Sequence, residues 1–288
     1  MFTGASITIG LAASLIAAGL IGVGLVLQAL DARRVDRRHG LRLTLLGRLL
    51  RRPRWVIGTV VGYLAFPFQL LALRHAPLIL VQPVHACGLL LVLGAGAWML
   101  RECVRLVDLA GVGAIIAGLA LLAWGAPPGS DPEISQPIFA AATGALVLIS
   151  FLPYALGPRC GRLTLMLCSG VGFAAANMAV KGLTDQLAMH AYLASAGYLA
   201  AAAIGSTAGV LSQMTAFQRY PAVEVVPITF AVPNFMPVIL GVLVLHESWA
   251  RAALAGAPFA LGGFLLLLGT AALARATPVA RVMRTAAG

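Results

Sequence analysis

A duplicated apolar block limits this chain more than anything else in it. Ala72, Pro77, Val81 and Pro83 recur as Ala216, Pro221, Val225 and Pro227, a shift of 144. Glu102, the triplet Leu109-Ala110-Gly111 and Gly118 then recur as Glu247, Leu254-Ala255-Gly256 and Gly263, a shift of 145. Residues 72–125 and 216–270 are thus two copies of one unit, and both are too apolar for a water-soluble core. The chain is 60% hydrophobic and 10% charged, whereas a soluble domain carries about a quarter charged residues. In hydrocarbon a helix satisfies its backbone polar groups internally. The expected fold class is therefore all-α, a polytopic membrane protein.

About 20 apolar residues cross the hydrocarbon core. On that measure the chain has nine crossings, near 6–30, 55–74, 77–99, 106–125, 136–156, 163–184, 193–216, 222–245 and 250–273. The first carries its positive charge after the apolar stretch, which is not the order of a signal peptide. Residues 1–125 form the first repeat, 126–135 an outer linker within a run of turn formers, 136–273 the second repeat and 274–288 a basic tail. Basic residues concentrate on the cytoplasmic side of membrane proteins. With 31–54 placed inside, 17 basic residues lie inside and only Arg74, Lys181 and Arg251 outside. The N-terminus is then external and the C-terminus cytoplasmic. The span at 55–74 runs outward while its mate at 193–216 runs inward, so the two repeats have inverted topology.

Net charge +11 does not point to nucleic acid, because no soluble module is present to display a binding surface. Nine arginines fall between Arg33 and Arg54. Within Leu41–Arg54, Arg48, Arg51 and Arg52 share one helical face, and Leu43, Leu46, Leu49 and Leu50 another. That pattern predicts an interfacial helix on an anionic leaflet; the plainer alternative is a disordered basic loop. Ser14, Ala18 and Gly22 form a small-residue stripe suited to close helix packing. Cys87, Cys103, Cys160 and Cys168 contain no CxxC pair, which argues against disulfides and a zinc site.

Aligned on its repeat, the chain resembles the drug/metabolite transporter superfamily (EamA-like). The resemblance is carried by Arg74-His75-Ala76-Pro77 running into Val81-Gln82-Pro83, by Glu102 and Glu247, and by the Gly-rich closing helices. Within it, Ala76-Pro77-Leu78, Lys181-Gly182-Leu183 and Val226-Pro227-Ile228 are similar to the NIPA-type branch, which implies nine spans and magnesium transport. The first half lacks the second helix of the superfamily's five, its place being taken by 31–54.

Polar groups inside hydrocarbon are costly and mark candidate pathways. Gln82 and His85 share a helix face beside Pro83, and Pro227 repeats that break in the second copy. A proline inside a span frees a carbonyl, which is tolerated where a cavity or a side chain satisfies it. The two breaks predict locally interrupted helices crossing at a central cavity, although both prolines could simply shape their helices. Pro67, shortly before Gln69, predicts another irregular span. Gln69, Asn177, Gln213 and Asn234 complete the expected pathway, each with interhelical hydrogen bonding as its alternative. Lys181 is expected to snorkel to the outer interface. Glu224 is the candidate coupling carboxylate, against a slightly favoured ion pair with Arg219.

Repeat-built membrane proteins place their substrate at the interface of the copies. The expected function is therefore a secondary transporter moving a small solute by alternating access. A divalent cation such as Mg²⁺ follows from the resemblance alone; a small organic metabolite or drug suits the amide inventory as well. A non-transporting, lipid-interacting membrane scaffold is the expectation from another class. No HExxH, GxSxG or phosphate-binding loop is present, so neither enzyme chemistry nor a cofactor is expected. The expected setting is a cell membrane, compatible with a bacterial inner membrane, for a monomer or homodimer.

Overall fold

The computed structural model describes residues 4–76, 81, 84, 87–99, 104–125, 136–245 and 257–275, which are almost wholly helical with no strand among them. In chain order the first helices are α1 (Gly4–Ala32), α2 (Leu43–Leu50), α3 (Pro53–His75), α4 (Gly88–Met99) and α5 (Leu106–Gly125). The second half contributes α6 (Gln136–Ser150), α7 (Leu152–Leu156), α8 (Arg162–Ala188), α9 (Tyr192–Arg219), α10 (Ala222–Leu245) and α11 (Ala257–Arg275). Five stretches are long and apolar enough to cross a bilayer: Ser6–Ala32, Pro53–Ala72, Gln136–Leu156, Arg162–Ala188 and Tyr192–Arg219. Leu106–Leu122, Ala222–Asn234 and Ala257–Leu273 are shorter apolar helical stretches. Gln82, Pro83, His85, Glu102, Glu247, the linker 126–135 and the tail beyond Arg275 lie outside the described residues.

The sequence repeat reappears as a repeated local structure. α3 ends at Ala76 (φ −140°, ψ 149°) and α9 ends at the repeat-equivalent Tyr220 (φ −132°, ψ 156°). Both residues precede a proline, whose ring disfavours the helical conformation in its predecessor and pushes it to extended backbone. Each still closes its last turn: the Ala76 amide donates to the Ala72 carbonyl at 2.9 Å, and the Tyr220 amide to the Ala216 carbonyl at 2.8 Å. The carbonyl-bearing alanines are both fully buried, as are the repeat mates Val81 and Val225.

Glycine seams set the packing. A Cβ added to Gly24 of α1 would lie 2.6 Å from the Gly58 carbonyl of α3, and one on Gly58 would lie 2.8 Å from the Gly24 carbonyl. The same reciprocal approach joins Gly172 of α8 to Gly205 of α9 (2.7 and 3.0 Å) and Gly118 of α5 to Gly262 of α11 (2.8 and 2.7 Å). Only hydrogen fits between these backbones, which is how helices gain van der Waals contact where lipid removes the hydrophobic drive to associate. All three pairs are antiparallel. In the last, for instance, Gly111 meets Gly269 while Gly118 meets Gly262. The Ser14, Ala18, Gly22 stripe is buried, and a Cβ on Gly88 of α4 would approach the Ala18 Cβ to 2.9 Å.

The prolines do not interrupt their helices as expected. α3 remains helical through Pro67 and α10 through Pro227. The missing N–H of Pro67 instead removes the helical partner of the Tyr63 carbonyl, four residues earlier in α3.

Candidate functional site

The segment between α1 and α3 is folded onto the second half of the chain. Asp31, buried at the end of α1, accepts the Trp55 amide at 3.1 Å and faces Arg52 Nη1 at 3.6 Å. Arg52 Nη2 also donates to the Arg34 carbonyl at 3.4 Å. From the other side, Thr215 Oγ1 accepts the Leu41 amide at 2.9 Å and Gln218 Nε2 donates to the Val35 carbonyl at 3.2 Å. Leu41 holds a left-handed backbone (φ 58°) to make that turn. Residues 33–42 are therefore a strap across the end of α9. Within it, burial and the neighbouring Arg48 and Arg38 charges hold the His39 imidazole below its usual pKa range. The Arg38 amide, donating to Asp36, chiefly lowers that carboxyl.

α2 corrects the expected single leucine face. Leu45 and Leu49 are fully buried, whereas Leu43 is 68% and Leu50 57% exposed. At 100° per residue three stripes result. Leu45 and Leu49 face the protein, Leu43, Leu46 and Leu50 form an outward apolar stripe, and Thr44 with exposed Arg48 lies on the remaining side. A helix with a protein side, an apolar outer side and a basic side is shaped for a membrane interface.

Beside α2 lies a cleft of about 440 Å³. One wall is the first copy's pair, with Ile21, Leu25 and Gln28 of α1 facing Trp55, Thr59, Gly62 and Tyr63 of α3. The opposite wall is α9, with Ser206, Thr207, Val210 and Gln213, joined by Phe173 of α8; Leu46 and Leu50 of α2 close the basic end. Each set recurs at three- or four-residue steps, as residues on one helix face must. Gln28 Nε2 donates to Thr59 Oγ1 at 3.1 Å, which itself donates to the Trp55 carbonyl at 2.9 Å. Ser206 and Thr207 donate back to the carbonyls of Ala202 and Ala203, both at 2.7 Å, so their oxygens present lone pairs. The cleft opens sideways, where Tyr63 is 76% exposed.

Of the expected pathway residues, Gln213 lines this cleft and Nε2 donates to Thr229 Oγ1 at 3.2 Å. Asn177 is exposed on α8, one turn beyond Phe173. Gln69 is half-buried on α3, two turns beyond Gly62 on the same face. Asn234 bonds back to the Phe230 carbonyl at 2.7 Å. The described polar lining thus belongs to a lateral cleft rather than to the expected crossing of broken helices. Gln28, Thr59, Ser206 and Thr207 were not anticipated. The one available signal was an amide in the last full turn of the first span.

Glu224 pairs with Arg162, not with the expected Arg219. Both charges are largely buried, and Arg162 also donates to the Leu273 carbonyl at 3.0 Å and sits 5.5 Å from the Tyr220 ring centre. The first turns of α8 and α10 and the last turn of α11 meet here, whereas Arg219 is only half-buried on α9. Lys181, at the far end of α8, is exposed and within 3.7 Å of Asp185. Among the described residues no three His, Cys, Asp or Glu side chains cluster as a metal site would require. A second groove of about 480 Å³, formed by α6 with Val171 and Met236, is lined by apolar residues alone. Comparison with family models, characterised proteins and solved structures finds no match for this chain.

Proposed function

We propose that this chain is a membrane-embedded secondary transporter that moves a small organic solute by alternating access. In this reading nine spans form two inverted repeats, with the N-terminus outside and the C-terminus in the cytoplasm, as in the drug/metabolite transporters that the sequence resembles. One observation carries the proposal: the polar-lined cleft lies between the α1–α3 pair of the first copy and α9 of the second. Repeat transporters bind substrate at such a boundary and expose it to either side by rocking one unit against the other. The antiparallel packing of the repeat mates α5 and α11 and the matching pre-proline helix ends of α3 and α9 support the duplication.

The organic solute is preferred to magnesium on the chemistry of the walls. A hydrated Mg²⁺ is usually held through one or two carboxylates, and the cleft is lined by amides, hydroxyls, aromatic rings and aliphatic chains. Glu224 is engaged by Arg162. Purified protein in sealed vesicles should take up organic solutes, scored with amino acids and cationic dyes, and leave Mg²⁺ excluded. Gln28→Ala and Gln213→Leu should each slow that uptake about tenfold, consistent with loss of about 1.4 kcal/mol of hydrogen bonding. Magnesium flux without organic uptake would overturn the choice of cargo, and no movement of any solute or lipid across the bilayer would overturn transport.

A further inference from the structure

We infer that the cargo of the lateral cleft is an anionic lipid, entering sideways from the leaflet at the basic end with its acyl chain between α3 and α9. The inference rests on the reading of this cleft as a transport site. Three features point to an amphiphile. The walls are mostly apolar, and a Cβ on Gly62 would meet nothing within 4 Å, so the cleft has room at mid-depth. Its side is open beside exposed Tyr63 and Leu50, so a molecule dissolved in the hydrocarbon reaches it without crossing water. Its polar wall groups are few: Gln28, Thr59 and Gln213 lie toward the basic end, and Ser206 and Thr207, about two turns deeper on α9, donate to carbonyls of their own helix.

Charge selects the headgroup. Leu46 and Leu50 of α2 close the basic end of the cleft, and exposed Arg48 and Arg51 belong to the same short helix and its C-cap. Eight residues of helix span about 12 Å, so both guanidiniums lie at the cleft end that Leu46 and Leu50 close, Arg48 on the side of α2 away from those leucines, and their field there is screened over about 10 Å. Asp31 partly offsets Arg52, and exposed Arg42 and Arg54 beside the same helix add to the positive charge of Arg48 and Arg51. Near a membrane surface each such residue is worth roughly a fivefold preference for anionic lipid.

Trp55 lines the cleft and reports on it directly. The test uses full-length protein whose other three tryptophans, Trp98, Trp124 and Trp249, are replaced by Phe. It is placed in phosphatidylcholine nanodiscs titrated with phosphatidylglycerol carrying brominated chains. Saturable quenching is expected at lower mole fraction for brominated phosphatidylglycerol than for brominated phosphatidylcholine. Arg48→Gln with Arg51→Gln should weaken that preference by roughly 25-fold. Gly62→Leu, whose side chain enters open space, should abolish saturable quenching by either lipid while elution and helicity stay unchanged. Equal quenching by the two lipids, or a preference untouched by the arginine changes, would overturn the inference. If the lipid preference fails while vesicle uptake of other solutes persists, transport stands without this cargo. If the preference holds and a labelled phosphatidylglycerol never changes leaflet, the site stands and its assignment as cargo falls.

Discussion

Arg162 has more to do than neutralise Glu224. It reaches the Leu273 carbonyl and lies over the Tyr220 ring, so one side chain links α8, α10, α11 and the end of α9. Removing one partner of a buried pair leaves the other charge unpaired, at a cost of about 3–5 kcal/mol. Arg162→Met should therefore lower the thermal midpoint in detergent sharply, and the double change Arg162→Met with Glu224→Met should recover most of the loss. A double variant no more stable than Arg162→Met would show that the backbone and ring contacts, not the unpaired carboxylate, set the cost. The acid was legible in the sequence as a carboxylate at the start of a span. Its partner was not, because Arg162 lies 62 positions away while Arg219 is five residues away and only chain proximity was visible.

At the scale of elements, the strap and α2 behave as one unit pinned at both edges. Thr215 and Gln218 on α9 hold Leu41 and Val35, and Asp31 holds Trp55 and Arg52. Thr215→Val with Gln218→Leu removes two hydrogen bonds, each worth about 1 kcal/mol. Brief trypsin treatment in detergent should then cut at Arg33–Arg42 several-fold faster than in the parent, with the transmembrane helices protected. Unchanged cutting would mean that Leu45, Leu49 and the Asp31 contacts hold the segment by themselves. The leucines and arginines of 41–54 were enough to predict a surface helix. Their division into a buried stripe and an outward stripe was not readable, since hydrophobicity says only that a leucine avoids water, and both protein and lipid satisfy that.

For the molecule as a whole, the duplicated block and the segregation of arginine make a topological prediction. In a background lacking the four native cysteines, Ser130→Cys in the linker should react with a membrane-impermeant maleimide added outside intact cells. Ala287→Cys in the tail should react only after permeabilisation. Labelling of both from the same side would remove the inverted arrangement and with it the rocking motion. The glycine seams belong to this scale too, because they decide which helices lie together: α1 with α3, α8 with α9, and α5 with α11. Glycine abundance announced close packing, but which glycine meets which depends on helix rotation and register.

What the sequence alone determined is the helical class and two of its boundaries. Composition called for long apolar helices, proline after Ala76 and after Tyr220 ended two helices at equivalent points, and the repeat led to the expectation of two related units. These follow from local rules, acting within a few residues or on average over many. The location of the candidate site was decided only by the tertiary structure. Gln28, Thr59 and Thr207 are unremarkable one at a time, and they share a cleft with Gln213 because the packing of α1, α3 and α9 brings distant turns together. Side-chain chemistry is written in the sequence, but convergence of side chains is a property of packing.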